Sequence, residues 1–184
     1  AMLLIELDGF DKSVKHELTI LKDILLKSAS SKIIQTETEA ENENIWKTRR
    51  SAFSALAQLK PNVVTEDIVV PRTKIVNFVK FCQNLSKKYE IITAVMGHAA
   101  DGNIHPNFAL DLDDKKEKEN FEKLKDELFN YAVTIGGTLS GEHGIGTHKK
   151  KYIESAIDKN TLNLMKSIKR LLDKDNIFNP DKTI

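Results

Sequence analysis

The sequence predicts an α+β fold: a largely antiparallel sheet with helices packed on one face, followed by a helical C-terminal tail. Three observations predict it. Strand-like and helix-like segments run in the order β-α-β-α-β-α-β-β-α-β, and two consecutive strand-like runs flank one glycine-rich stretch, as in a hairpin. No G-x-G-x-x-G loop follows any strand, so the competing doubly wound parallel sheet lacks a nucleotide signature. With 184 residues, 40% of them hydrophobic, the chain can bury one sizeable core.

Met2 to Leu7 is β-like and opens the chain abruptly, as if a longer polypeptide had been cut just before a core strand. After the Asp8-Gly9 turn, Val14, Leu18, Leu21 and Leu25 recur at helical spacing up to about Ala29. A strand is expected at Lys32 to Thr36, then a long helix from Glu39 to Leu59. Its stripe is Ile45, Trp46, Phe53, Leu56 and Ala57, and Pro61 stops it. Asn62 to Val70 is rich in β-branched residues and reads as one strand containing Glu66 and Asp67. Pro71 is expected at the first position of a helix reaching Tyr89. Ile91 to Met96 and Asn103 to Leu110 are the hairpin strands. Alternation puts Asn103, His105 and Asn107 on one face of the second, and Pro106, which lacks an N–H, implies an edge position or a distortion there. Asp113 to Ile135 is an amphipathic helix ended by Gly136-Gly137, Thr138-Leu139 a short strand, and Asn160 to Leu172 the last helix.

Lys and Arg total 28 against 27 Asp and Glu, a net charge of +1, which removes the electrostatic footprint of nucleic-acid binders. A single cysteine, Cys82, forms no intrachain disulfide and fits a reducing, intracellular compartment. It reads as a small buried hydrophobe rather than a reactive thiol.

Two stretches carry chemistry: Gly97-His98-Ala99-Ala100-Asp101-Gly102-Asn103-Ile104-His105-Pro106-Asn107 and Ser140-Gly141-Glu142-His143-Gly144-Ile145-Gly146. They hold three of the five histidines. His98, His105 and Glu142 would supply two imidazoles and a carboxylate, a set used for zinc and equally for non-haem iron, so the ligands alone do not select the metal. His143 is then a candidate general base, since imidazole titrates near operating pH.

These stretches, with Gly136-Gly137-Thr138, Asp67-Ile68-Val69-Val70-Pro71 and the tail Asn179-Pro180-x-Lys182, resemble the C-terminal domain of FAD-linked oxidases. The group is that of the flavin-dependent glycolate oxidase chain, D-lactate dehydrogenase and D-2-hydroxyglutarate dehydrogenase. The resemblance covers nearly the whole chain. It implies a ferredoxin-like cap or substrate part over about residues 1–135 and an active-site and helical part over about 136–184, with the FAD-binding domain lying outside this chain. It further implies FAD and a divalent metal, Zn, Mn or Fe, as cofactors, with His98, His105 and Glu142 as metal ligands and His143 accepting the α-hydroxyl proton. Asn107 would bind substrate, Arg49 would hold the substrate carboxylate with Arg50 as its rival, and Asn179 belongs to the segment returning to the flavin. The implied partners are the FAD-binding domain, a small 2-hydroxy acid and an iron-sulfur or other electron-acceptor subunit. The implied location is cytoplasmic or peripheral at the inner membrane. The 2-hydroxyglutarate members carry a lysine where this chain has Val64 or Thr65 and a threonine where it has Phe53. A second carboxylate is therefore poorly served, and the expected reaction is oxidation of glycolate or D-lactate, inactive without the FAD domain. A metal-dependent hydrolase and a non-catalytic interaction module are the alternatives.

Overall fold

A strand exists only where its backbone finds a ladder partner, and this condition separates the two ends of the molecule. The computed structural model describes residues 1–28 and 30–184, and the chain divides into two units, Ala1–Arg49 and Arg50–Ile184. In the first unit, α1 (Asp11–Lys27) carries Asp11 in its first turn and Lys27 in its last, both complementing the helix dipole. The expected helix end at Ala29 lies outside the described residues. Met2–Leu7 and Lys32–Thr36, expected as strands, are irregular: their β-favouring composition is present, but among the described residues neither has a ladder partner. The second helix, α2 (Glu39–Leu56), ends three residues before the expected Leu59, and turns and bends fill the interval up to Pro61.

In the second unit, the run Asn62–Val70 splits into β1 (Asn62–Thr65) and β2 (Ile68–Val69). A 3-10 turn at Arg72–Lys74, preceded by Pro71 in extended backbone, leads into α3 (Ile75–Tyr89), so Pro71 sits before the helical region and not at its first position. Then come β3 (Ile92–His98) and β4 (Asn103–Leu110), the expected hairpin, with Gly97 and His98 inside β3. The helix α4 (Lys115–Thr134) is capped by Asp114, whose side chain accepts from the Glu117 N–H. A short α5 (Ile153–Ala156) and α6 (Lys159–Leu172), capped by Asp158, complete the chain. Thr138-Leu139 forms a single antiparallel bridge, Thr138 opposite Val69, in place of a strand.

All pairings are antiparallel, with β4 in the middle: β3 lies along one side, β1 and β2 along the other. Pro106 thus sits in a central strand, and it is the distortion that is realised. Thr65 pairs with Asn107 and Ile68 with Ile104, so the register continues unbroken across Glu66 and Asp67. Glu66 N–H donates to Pro106 O at 2.9 Å, but proline returns no N–H, and the ladder is interrupted there.

One face of the sheet is apolar. Ile68, Ile104, Phe108 and Leu110 meet Phe78, Cys82 and Leu85 of α3 and Phe121, Leu124, Leu128 and Phe129 of α4. Each such large side chain contributes about 1.5–3 kcal/mol through burial. Cys82 is fully buried, and desolvation pushes its thiol up to about 12, as expected for an inert core thiol. Among the described residues, no helix is long and apolar enough to cross a membrane.

Candidate metal centre

The opposite face of β4 is polar because the strand alternates. Asn103, His105 and Asn107 are all buried there. Register brings His98 of β3 opposite Asn103, Met96 opposite His105, and Thr65 of β1 opposite Asn107. The continuing register across the ladder gap brings Asp67 opposite His105, with Asp67 Oδ1 3.8 Å from His105 Nδ1.

The loop Ser140–Gly146 reaches this face because Thr138 N–H donates to Val69 O at 2.8 Å. From there Asp67 holds the loop. Its Oδ2 accepts from Ser140 Oγ at 2.6 Å and from three successive backbone N–H groups, Gly141 at 2.8 Å, Glu142 at 2.9 Å and His143 at 2.8 Å. Successive N–H groups converging on one oxygen form an anion nest. Burial raises the Asp67 pKa, but the Ser140 hydroxyl and these three backbone donors outweigh it and hold the carboxyl well below the usual carboxylate range. Gly141 lets the loop pack close to β4: a Cβ there would lie 2.8 Å from the Asn103 side-chain amide, which would have to shift.

This clamp brings Glu142 Oε1 to 3.3 Å from His105 Nε2 and 3.9 Å from His143 Nε2. The His105 and His143 rings stack with centroids 5.5 Å apart, and His98 meets His105 edge-on at 5.7 Å. Asp67, His105, Glu142 and His143 can each offer one ligand atom, all within 4.8 Å of one another. Imidazole nitrogen and carboxylate oxygen are a donor set suited to zinc, manganese or iron.

Of the residues named from sequence, His105, Glu142 and His143 converge, and His98 stands beside His105 on the exposed end of β3. Asn107 is on the same face, but its amide already donates to Ala94 O at 3.3 Å and His105 O at 2.7 Å and accepts from Thr65 Oγ1 at 2.7 Å. Asn179 is exposed, with φ at 47°, and lines a cavity of about 660 Å³ together with His143, Gly146, Lys169, Phe178 and Lys182. Arg49 is a half-buried residue of α2, in the first unit. Sequence reasoning did not single out Asp67 or Lys149 as site residues. Lys149 is buried, and its Nζ donates to the Asp67 carbonyl at 2.8 Å. The available signal was a carboxylate in a β-branched run, where acids are depleted.

Residues 1–183 match the family described as FAD linked oxidases, C-terminal domain. The chain is 40% identical to glycolate oxidase subunit GlcD of Bacillus subtilis (strain 168) over 99% of its own length and 39% of that protein's. It is 32% identical to glycolate oxidase subunit GlcD of Escherichia coli (strain K12), over 100% of this chain and 37% of the relative. A mitochondrial D-lactate dehydrogenase [cytochrome] of Arabidopsis thaliana is 28% identical over 99% of this chain and 32% of the relative. The chain therefore spans less than two-fifths of the length of these relatives. Matched along its length by this family, the chain belongs to the C-terminal domain of FAD linked oxidases.

Proposed function

We propose that this chain is the substrate- and metal-binding domain of a flavin-dependent 2-hydroxy-acid dehydrogenase that converts glycolate or D-lactate to the 2-oxo acid. The observation that carries the reading is the convergence of His105, Glu142 and His143 on the polar face of the sheet, held there by Asp67. The donor set fits a divalent cation. Of the buried polar side-chain atoms found without a hydrogen-bond partner, three lie in this patch: Asp67 Oδ1, Asn103 Oδ1 and His105 Nδ1. Buried polar atoms left in that condition are costly, and they make this patch the polar centre of the sheet.

In this reading His98, His105 and Glu142 hold the cation, Zn, Mn or Fe. His143, half-exposed and beside Glu142, accepts the α-hydroxyl proton on its imidazole. Arg49, in the first unit, is the side chain that the family resemblance assigns to the substrate carboxylate, and its guanidinium fork suits that group because it donates two parallel hydrogen bonds. Asn107, whose amide is committed to Ala94 O, His105 O and Thr65 Oγ1, would serve substrate binding by fixing the backbone of β4 at His105, and Asn179 would belong to the segment that helps hold the flavin. When bound, the flavin supplies the acceptor for the α-hydrogen and the cation supplies Lewis acidity. The relatives' names as glycolate oxidase subunits and D-lactate dehydrogenases support the substrate class.

Titration calorimetry of the chain with Mn²⁺ or Zn²⁺ tests the cation site. His105→Ala and Glu142→Ala are each expected to lower affinity by at least about tenfold, whereas binding unchanged in both would remove the site. The chain alone is expected to be colourless and unable to reduce a dye with glycolate or D-lactate. Turnover by the chain without flavin would favour hydrolytic or other metal chemistry instead.

A further inference from the structure

The geometry points to Asp67 as a positioning residue that selects the neutral tautomer of His105, keeping the proton on Nδ1 and leaving the Nε2 lone pair free for a cation. This rests on the cation reading above. Two of the unpartnered buried atoms face each other: Asp67 Oδ1 and His105 Nδ1, 3.8 Å apart. One is an acceptor of fixed position, and the other becomes a donor only in the Nδ1–H form. A shift of under about 1 Å turns the pair into a hydrogen bond, the arrangement by which carboxylates orient metal-binding imidazoles.

A rival acceptor stands at the other nitrogen. Glu142 Oε1 lies 3.3 Å from His105 Nε2 and would favour the opposite tautomer, which blocks the cation. Asp67 prevails for two reasons. Its side chain is fully buried while that of Glu142 is 58% exposed, and an effective dielectric several-fold lower outweighs a difference of about 0.5 Å in distance. It is also immobilised, since four donors on Oδ2 fix the carboxylate plane and Lys149 Nζ holds its backbone carbonyl. Glu142 has no comparable restraint on its carboxylate among the described residues.

Asp67→Asn makes the assignment sharp. The four donors on the loop side require an acceptor, so the carboxamide oxygen must face them and its NH₂ must face His105 Nδ1. An NH₂ donor there needs a lone pair on Nδ1, which drives the proton to Nε2 and closes the cation position. Asp67→Asn is therefore expected to reverse the tautomer with the loop still held.

The experiment is a long-range ¹H–¹⁵N spectrum of the 184-residue chain, labelled at histidine and recorded at about pH 8.5, where imidazole is neutral, with Mn²⁺ calorimetry in parallel. Wild type is expected to show His105 as Nδ1–H, and Glu142→Gln to keep it. Asp67→Asn is expected to show Nε2–H and to bind Mn²⁺ roughly 10–100-fold more weakly. Nε2–H in wild type, a tautomer that follows Glu142→Gln, or wild-type Mn²⁺ affinity in Asp67→Asn would each overturn the proposal. The wild-type and Glu142→Gln spectra judge it even where Asp67→Asn fails to fold. Nδ1–H in a wild-type chain that takes up no Mn²⁺ would overturn the cation reading and leave the tautomer assignment standing.

Discussion

Asp67 concentrates in one side chain what the loop needs to hold its shape. Its carboxylate takes four donors, and hydrogen bonds to an ionised acceptor are roughly twice as strong as neutral ones. The sign of the resulting pH dependence follows from its depressed native pKa. Between the native and unfolded values the unfolded chain binds more protons, so the Asp67 contribution is fully present above the ordinary carboxylate range and is lost as pH falls through the native value. Urea unfolding of wild type and Asp67→Asn at about pH 7, 4 and 2.5 should show the gap between them narrowing on acidification. A constant gap would mean that the carboxyl titrates normally.

At the scale of elements, alternation and register build the site, and what was legible in the sequence follows from that. The bounds of β4, the facing of Asn103, His105 and Asn107, and the stripe of α4 were all readable, because period and residue type report them locally. Met2–Leu7 and Lys32–Thr36 depart from the expected strands for the complementary reason: composition favours a strand but cannot supply its partner. Pro106 is legible only in part. Its missing donor was visible, but its central place was not, since the order of strands in a sheet is a long-range property. The role of Asp67 is not legible in the sequence, because its four partners lie 73 to 76 residues away along the chain. The turn between β3 and β4 supplies a test at this scale. Gly102 has φ at 83°, and a Cβ there would lie 2.1 Å from Val70 O, while Gly144 has φ at 81° with open space around it. Gly144→Ala should cost about 1–2 kcal/mol from backbone strain alone. Gly102→Ala should cost at least about 1–3 kcal/mol more, from the added overlap with backbone. Equal losses in urea denaturation would mean that the turn yields and that the Val70 contact does not constrain it.

In the second unit taken whole, the sheet separates an apolar face that holds the fold from a polar face that holds the site, and Glu66 and Asp67 straddle the division. They are adjacent in the strand gap opposite Pro106, so alternation sends Asp67 to the site and Glu66 toward α4. Glu66 lies 3.7 Å from Lys149, both nearly buried. Lys149 also sits over the Phe129 ring at 5.6 Å and donates to the Asp67 carbonyl. Burial raises the Glu66 pKa against the pull of Lys149, and burial lowers that of Lys149 against the pull of Glu66 and Asp67. Desolvation therefore dominates both partners, and the pair is a weak source of stability that is costly to break. Lys149→Ala leaves Glu66 buried without its partner and should cost about 3–5 kcal/mol. Lys149→Met combined with Glu66→Leu removes both charges, keeps volume against Phe129, and should recover most of that loss in urea unfolding. If stability is all that Lys149 provides, the double variant should bind Mn²⁺ like wild type. If its hydrogen bond to the Asp67 carbonyl helps aim the carboxylate at His105, the double variant should be stable yet bind the cation more weakly, and that separation of stability from affinity is the expected result.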